Sequence, residues 1–271
     1  MKLKQTEANI LSETLRRQIH YYLNTLNLNR MTIKRMRVFA GPNGSGKTTI
    51  VNSLRSEIGF GIYVNADDIE SQLKETRVML FSSFQLYVIE DELHDYFKTS
   101  NFSPLKRAEP DLWSKLTVKD NVLFVDTFVD SYLAADLSEF LRQSLLKNGI
   151  SFTYETVMSH ESKVKFLQRA LDSGYRVYLY FVATEDPQIN VSRVNIRVAQ
   201  HGHFVAPELV TTRYYKSLQQ LKKAIKKSSR AYLWDNSGAA SLLIAEITDG
   251  SEVHILDSNY VPNWFVDYVV N

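Results

Sequence analysis

The run Gly41, Pro42, Asn43, Gly44, Ser45, Gly46, Lys47, Thr48 and Thr49 has the residue types and spacing to hold a polyphosphate. Glycines let the backbone curl so that successive N–H groups point to a common centre, and a helix opening directly after them adds partial positive charge. Lys47 would reach the outer phosphates, and the Thr48 hydroxyl would ligate Mg²⁺. The apolar run Val38, Phe39, Ala40 before the loop and the helical pattern after it supply the strand and helix that such a loop needs.

Other residues could act on a phosphate held there. Asp67 follows a second apolar run, Ile62, Tyr63, Val64, and a carboxylate near the terminal phosphate can accept a proton from an attacking hydroxyl. The competing reading is that Asp67 or Asp68 only caps a helix beginning at Ile69. Glu155 closes a third core strand, Phe152, Thr153, Tyr154, where it would suit a polyhydroxylated substrate, since a carboxylate accepts two hydroxyl hydrogen bonds. A surface ion pair is the alternative for it. Arg193 and Arg197, four apart, share one helix face, and beyond them His201-Gly202-His203-Phe204-Val205-Ala206-Pro207 reads as a hinge-like joint. Guanidiniums on an element that folds over the phosphates stabilise the transferring charge, an effect worth ~10³ to 10⁵ in rate in related chemistry. A solvated or salt-bridged face is the bland account of that pair. The two histidines do not make a zinc site and are expected to serve the turn.

Bringing these groups together requires strands that end side by side. Strands are expected at residues 35–40, 62–64, 152–155, 176–184 and 231–234, with helices at 47–58, 131–147, 160–172, 189–200 and onward from Pro207. Residues 242–247 and 253–256, joined across Asp249-Gly250, read as a hairpin at the sheet edge. Such alternation predicts a parallel sheet with helices on both faces, whose ligand lies beyond the carboxyl ends of the strands. Residues 71–128 break the pattern and are expected to form a mainly helical insertion, with a helix at 84–97. Residues 6–28 are amphipathic at a helical period. The expected organisation is an N-terminal helical extension at 1–34, a core domain at 35–257 and a C-terminal segment at 258–271.

Bulk properties set limits. The 271 residues are 44% apolar, carry a net charge of +2 and include no cysteine, which excludes disulfides and thiolate metal sites. The small charge gives no reason to invoke a nucleic acid or membrane partner, and the lysines at 216, 222, 223, 226 and 227 are expected to be a solvated face. A polar N-terminus and the lack of a run of about 20 apolar residues point to a cytoplasmic protein.

Taken together, residues 41–49, 65–69, 152–156, 174–177, 193–205, 213–218 and 235–238 resemble the zeta toxin family of P-loop kinases in their order and spacing. The resemblance implies an α/β P-loop NTPase-type fold and an ATP- and Mg²⁺-dependent kinase that phosphorylates a sugar hydroxyl of a nucleotide sugar, UDP-N-acetylglucosamine. It also implies Lys47 and Thr48 on nucleotide and Mg²⁺, Asp67 as base, Glu155 and Glu139 on substrate, and Arg193 as a phosphate-binding arginine. Either Arg197 or Arg213 would be the second. A helical antitoxin often covers the nucleotide site in that family, and residues 6–28 could serve as a cis-acting helical inhibitor. Two other functions remain open: a kinase of another metabolite or a nucleic-acid end, and a non-catalytic nucleotide-binding interaction protein.

Overall fold

The computed structural model describes residues 33–99, 111–200, 204–258 and 260–271. The amphipathic stretch 6–28 and residues 201–203 of the expected joint lie outside the described residues, while 204–206 lead without regular structure into the helix that opens at Pro207. By contacts the chain divides into two units, Met1–Ile33 and Lys34–Asn271, and the second carries everything that follows.

That unit is built on a seven-stranded sheet. Its strands are β1 (Arg35–Ala40), β2 (Ile62–Val64), β6 (Phe152–Thr156), β7 (Arg176–Ala183), β8 (Arg230–Asp235), β9 (Leu242–Thr248) and β10 (Glu252–Ile255), in the order β10-β9-β8-β7-β1-β6-β2. The strands β2, β6, β1, β7 and β8 pair in parallel, and the hairpin β9–β10 is antiparallel at the edge, as the sequence pattern predicts. Five successive residues of β7, Leu179 to Ala183, are buried, as a parallel strand covered on both faces requires.

The connections are α1 (Lys47–Leu54), α2 (Ala66–Thr76), α3 (Glu90–Thr99), α4 (Ser131–Lys147), α5 (Glu161–Asp172), α6 (Pro187–Ala199) and α7 (Pro207–Ile225). Local chemistry sets several ends. The Asp130 carboxylate accepts from the Tyr132 and Leu133 amides at 3.0 and 2.9 Å to start α4. At its far end Gly149 (φ 69°) takes the left-handed turn, with Ile150 N–H donating to Leu145 O at 3.1 Å. Helix α1 stops at Leu54, short of the expected 58, because the chain turns so that Ile58 and Phe60 pack with Phe39, Ile50 and Val51. Along α7, Lys216, Lys223 and Lys226 are exposed and Lys222 and Lys227 half-buried, while Tyr214, Leu218, Leu221 and Ile225 are buried.

The insertion at 71–128 holds helix but also a three-stranded antiparallel sheet that the sequence reading lacks: β3 (Val78–Leu80), β4 (Leu116–Lys119) and β5 (Val122–Val125), in the order β3-β5-β4. The β4–β5 turn is Asp120-Asn121, both at positive φ (51° and 64°), the geometry that lets a two-residue turn follow the twist of its strands. The helix expected over 84–97 begins only at Glu90. Asn121 explains the delay: its side chain accepts from Val88 N and donates to Leu86 O, both at 2.9 Å, and so holds 86–88 in a non-helical path. The C-terminal segment joins the main core through Trp264 and Phe265, both buried.

Candidate active site

The loop 41–46 leaves β1 and runs into α1 with Gly41, Gly44 and Gly46 at positive φ (141°, 76° and 94°). Close approach makes glycine necessary there. An added Cβ would lie 2.1 Å from Val182 O at Gly41, 2.5 Å from Asn190 O at Gly44 and 2.0 Å from Asn236 Nδ2 at Gly46. Two asparagines lock the loop from outside. Asn190 of α6 donates to Asn43 O at 2.7 Å, and Asn236, just after β8, donates to Ser45 O at 2.8 Å. The first turn of α1 has no side-chain cap and no acidic residue, and the buried Ser45 Oγ has no hydrogen-bond partner among the described residues. A curled backbone with uncapped helix amides and an unsatisfied buried hydroxyl suits an anion.

Lys47 Nζ donates to Gly41 O and Pro42 O, each at 2.9 Å. Burial pushes its pKa down to about 8, against the pull of the Glu155 and Asp67 carboxylates and with a further push from Arg197. Thr48 Oγ1 donates to Glu155 Oε2 at 3.3 Å, and Tyr63 OH and Asn65 Nδ2 both donate to Glu155 Oε1. Burial first, then the Glu155 charge and hydrogen bond, raise the Tyr63 pKa, which keeps this phenol protonated.

Asp67 is not a helix cap. Helix α2 begins at Ala66, three residues before the expected Ile69, and Asn65 caps it by accepting from Asp67 N at 2.8 Å. The exposed Asp67 carboxylate is therefore free of the capping role.

These groups share one cavity of about 560 Å³. Its walls include Asn43, Gly44, Gly46, Lys47 and Thr48 of the loop, together with Asp67, Glu155, Arg193, Arg197 and Arg213. Pro42, Ser45 and Thr49 shape the loop without lining the cavity. Arg193 also donates to Asn236 O at 2.7 Å, so it is tied to the residue that locks the loop. Arg197 and Arg213 both reach the cavity, and burial lowers the Arg213 pKa.

Glu139 stands apart. It lies behind the cavity wall, where its Oε2 meets Arg142 at 2.5 Å and Lys163 at 2.8 Å. Burial alone would raise its pKa, but Arg142 and Lys163 outweigh that and hold it at about 2.

The sequence model of the zeta toxin family matches residues 88–243, more than half of the chain. This chain belongs to the zeta toxin family. The match runs from α3 through β8 to the start of β9 but does not include the loop at 41–48, so the geometry of that loop stands as a separate observation. An uncharacterized protein of Haemophilus influenzae is 32% identical over 69 residues, 26% of this chain and 49% of that protein. The chain thus spans about half the length of the curated relative it matches. The crystal structure of AvrRxo1-ORF1:-ORF2 with ATP superposes with a TM-score of 0.52 at 13% identity, covering 85% of this chain and 63% of that one. The native AvrRxo1-ORF1:-ORF2 complex gives 0.52 at 14%, covering 90% and 70%. At these identities the likeness shows the fold, which here is the P-loop kinase-like sheet flanked by helices.

In this zeta toxin family member the sequence reading missed Tyr63, Asn65, Arg142, Lys163, Asn190 and Asn236 as site-building residues. Asn65 and Asn236 follow strand ends directly, a signal available in the sequence. Asn190, Arg142 and Lys163 sit inside helices with no motif around them, and only packing brings them to the site.

Proposed function

We propose that this chain is an ATP-dependent phosphotransferase that moves the γ-phosphoryl group of ATP to a hydroxyl of a nucleotide sugar, with UDP-N-acetylglucosamine as the first substrate to test. The observation that carries the reading is the single cavity that joins the loop at 41–48 to Asp67, Glu155 and three arginines.

In that cavity the loop amides and Lys47 hold the phosphates, and Arg193, Arg197 and Arg213 offset the charge on the transferring group. Asp67 takes the proton of the acceptor hydroxyl as its oxygen bonds to the γ-phosphorus. The bond from that phosphorus to the β-phosphate oxygen breaks, and its electrons leave with ADP. Thr48 and Glu155, a hydroxyl beside a carboxylate, are the hard oxygen donors that Mg²⁺ prefers. Among the described residues no cluster of three His, Cys, Asp or Glu side chains could hold a metal ion. When bound, Mg²⁺ neutralises charge on the phosphate oxygens. Glu155 is then as well placed to orient the metal side as the sugar, since both of its oxygens are already engaged toward Thr48 and Tyr63.

The test is transfer of label from γ-labelled ATP to a panel of nucleotide sugars. Label appearing in UDP-N-acetylglucosamine supports the reading. No labelled product from any panel member removes the nucleotide-sugar claim, and an untargeted metabolite pool in the same assay distinguishes another acceptor from none. By family likeness we also propose a proteinaceous antitoxin as partner, to be sought by co-purification under conditions that leave ATP turnover measurable. Among the described residues no helix is long and apolar enough to cross a membrane.

A further inference from the structure

The cluster of Arg142, Glu139 and Lys163 has no part in the transfer step as described, yet two of its members line the same cavity. Side chains of β6 alternate between the two faces of the sheet. Glu155 pairs in register with Phe39 and lies on the face that α1 covers, while Tyr154 pairs with Val38 and Val64 on the face that α4 covers. The Arg142 guanidinium stacks 4.7 Å from the Tyr154 ring centre. The phosphate loop and this cluster are thus separate parts of one cavity, contributed from opposite faces of the sheet.

We infer that Arg142 and Lys163 form a subsite for a phosphate or diphosphate ester group of the acceptor, and that Glu139 sets the charge of this subsite rather than binding the sugar. The inference deepens the kinase reading and rests on it for calling the bound molecule the acceptor.

Geometry carries the inference. Arg142 and Lys163 both line the cavity, while Glu139 pairs with both and the buried Asp136 also acts on Lys163. The Arg142 side chain is 6% exposed, and its Nε has no hydrogen-bond partner among the described residues. A guanidinium has five N–H donors, and its fork matches phosphate oxygens in pairs. Lys163, 30% exposed, supplies a mobile point charge beside it. Glu139, in contrast, has Oε2 shared by both cations and Oε1 accepting from Gln143 at 3.4 Å, which leaves little capacity for a sugar hydroxyl. The Lys163 pKa is pushed down by burial first and then by the Arg142 charge, with Glu139 and Asp136 opposing.

The test fills the phosphate loop with a non-hydrolysable ATP analogue and titrates UDP-N-acetylglucosamine, with neutral N-acetylglucosamine as the comparison, by calorimetry. The expected result is binding of the diphosphate sugar that weakens with salt and falls ~10-fold or more in Lys163→Gln, the size of a lost hydrogen bond between charged groups. Binding of the neutral sugar should not respond to that substitution. Glu139→Gln should bind the diphosphate sugar as tightly as the wild type or tighter, because the subsite gains net positive charge. Unchanged affinity in Lys163→Gln, weaker binding in Glu139→Gln alone, or no binding of the diphosphate sugar by the wild type each overturns the subsite. The transfer assay separates the two ideas. Transfer with an acceptor KM indifferent to Lys163→Gln refutes the subsite and leaves the kinase, whereas Lys163-dependent binding without transfer refutes the kinase and leaves the subsite.

Discussion

Lys47 should make nucleotide affinity depend on pH in a range where neither the triphosphate nor most of the protein titrates. Its ammonium is buried at the loop and donates to Gly41 O and Pro42 O, and its pKa lies at about 8. The charged form is then ~90% populated at pH 7 and ~10% at pH 9, and apparent affinity scales with the competent fraction. Affinity for ATP should therefore fall about tenfold between pH 7 and pH 9. The bound triphosphate raises the Lys47 pKa, so binding at pH 9 should take up close to one proton, and binding at pH 7 almost none. Calorimetric titration in buffers of different ionisation enthalpy measures both quantities, and Lys47→Met should flatten the profile as it weakens binding. Stability of the free protein should move the other way. Between the folded value of about 8 and the ordinary lysine value of 10.5 the unfolded chain binds more protons, so stability contributed by this group rises with pH there. Lys163, also lowered, adds with the same sign. Constant ATP affinity from pH 7 to 9.5 with no proton uptake would refute the reasoning.

Three further outcomes are expected. Asp67→Asn should lower the transfer rate by ~10²-fold or more while ATP affinity changes little, since Asn65 and not Asp67 caps α2; an unaltered rate in rapid-quench assays removes the base role. Asn236→Ala deletes the bond to Ser45 O but keeps the backbone carbonyl that holds Arg193, so ATP should bind ~3- to 10-fold more weakly with the fold intact; equal affinity in titrations would show that the loop does not need this tie. Tyr154→Phe removes a buried hydroxyl that has no partner among the described residues and keeps the ring under Arg142, so stability should hold or rise by up to ~1 kcal/mol; a clear drop in urea unfolding would mean that the hydroxyl is satisfied in solution.

The strand and helix alternation of the core and the loop at 41–48 were legible in the chain because both are local. Buried parallel strands need unbroken apolar runs, and a phosphate cradle needs glycines at fixed spacing before a helix. The strand ends that carry Asp67 and Glu155 followed from the same pattern, and the structure brings both carboxylates to the cavity. The insertion was less legible. Its small sheet depends on Asn121, whose side chain reaches back more than thirty residues to Leu86 and Val88, and no window along the sequence contains that bond.

Glu139 marks the limit of reading residues by type. In the sequence it is one more acid available for a sugar, but folding sets Arg142 one helical turn away and brings Lys163 from the next helix, so its charge is already spent. The chain by itself determined that a polyphosphate could be held, since that capacity lies in contiguous backbone. Tertiary structure alone decided which distant cations and carboxylates share a cavity with that loop and which face each other, because the sheet sends neighbouring side chains of β6 to opposite faces and each face is covered by different helices.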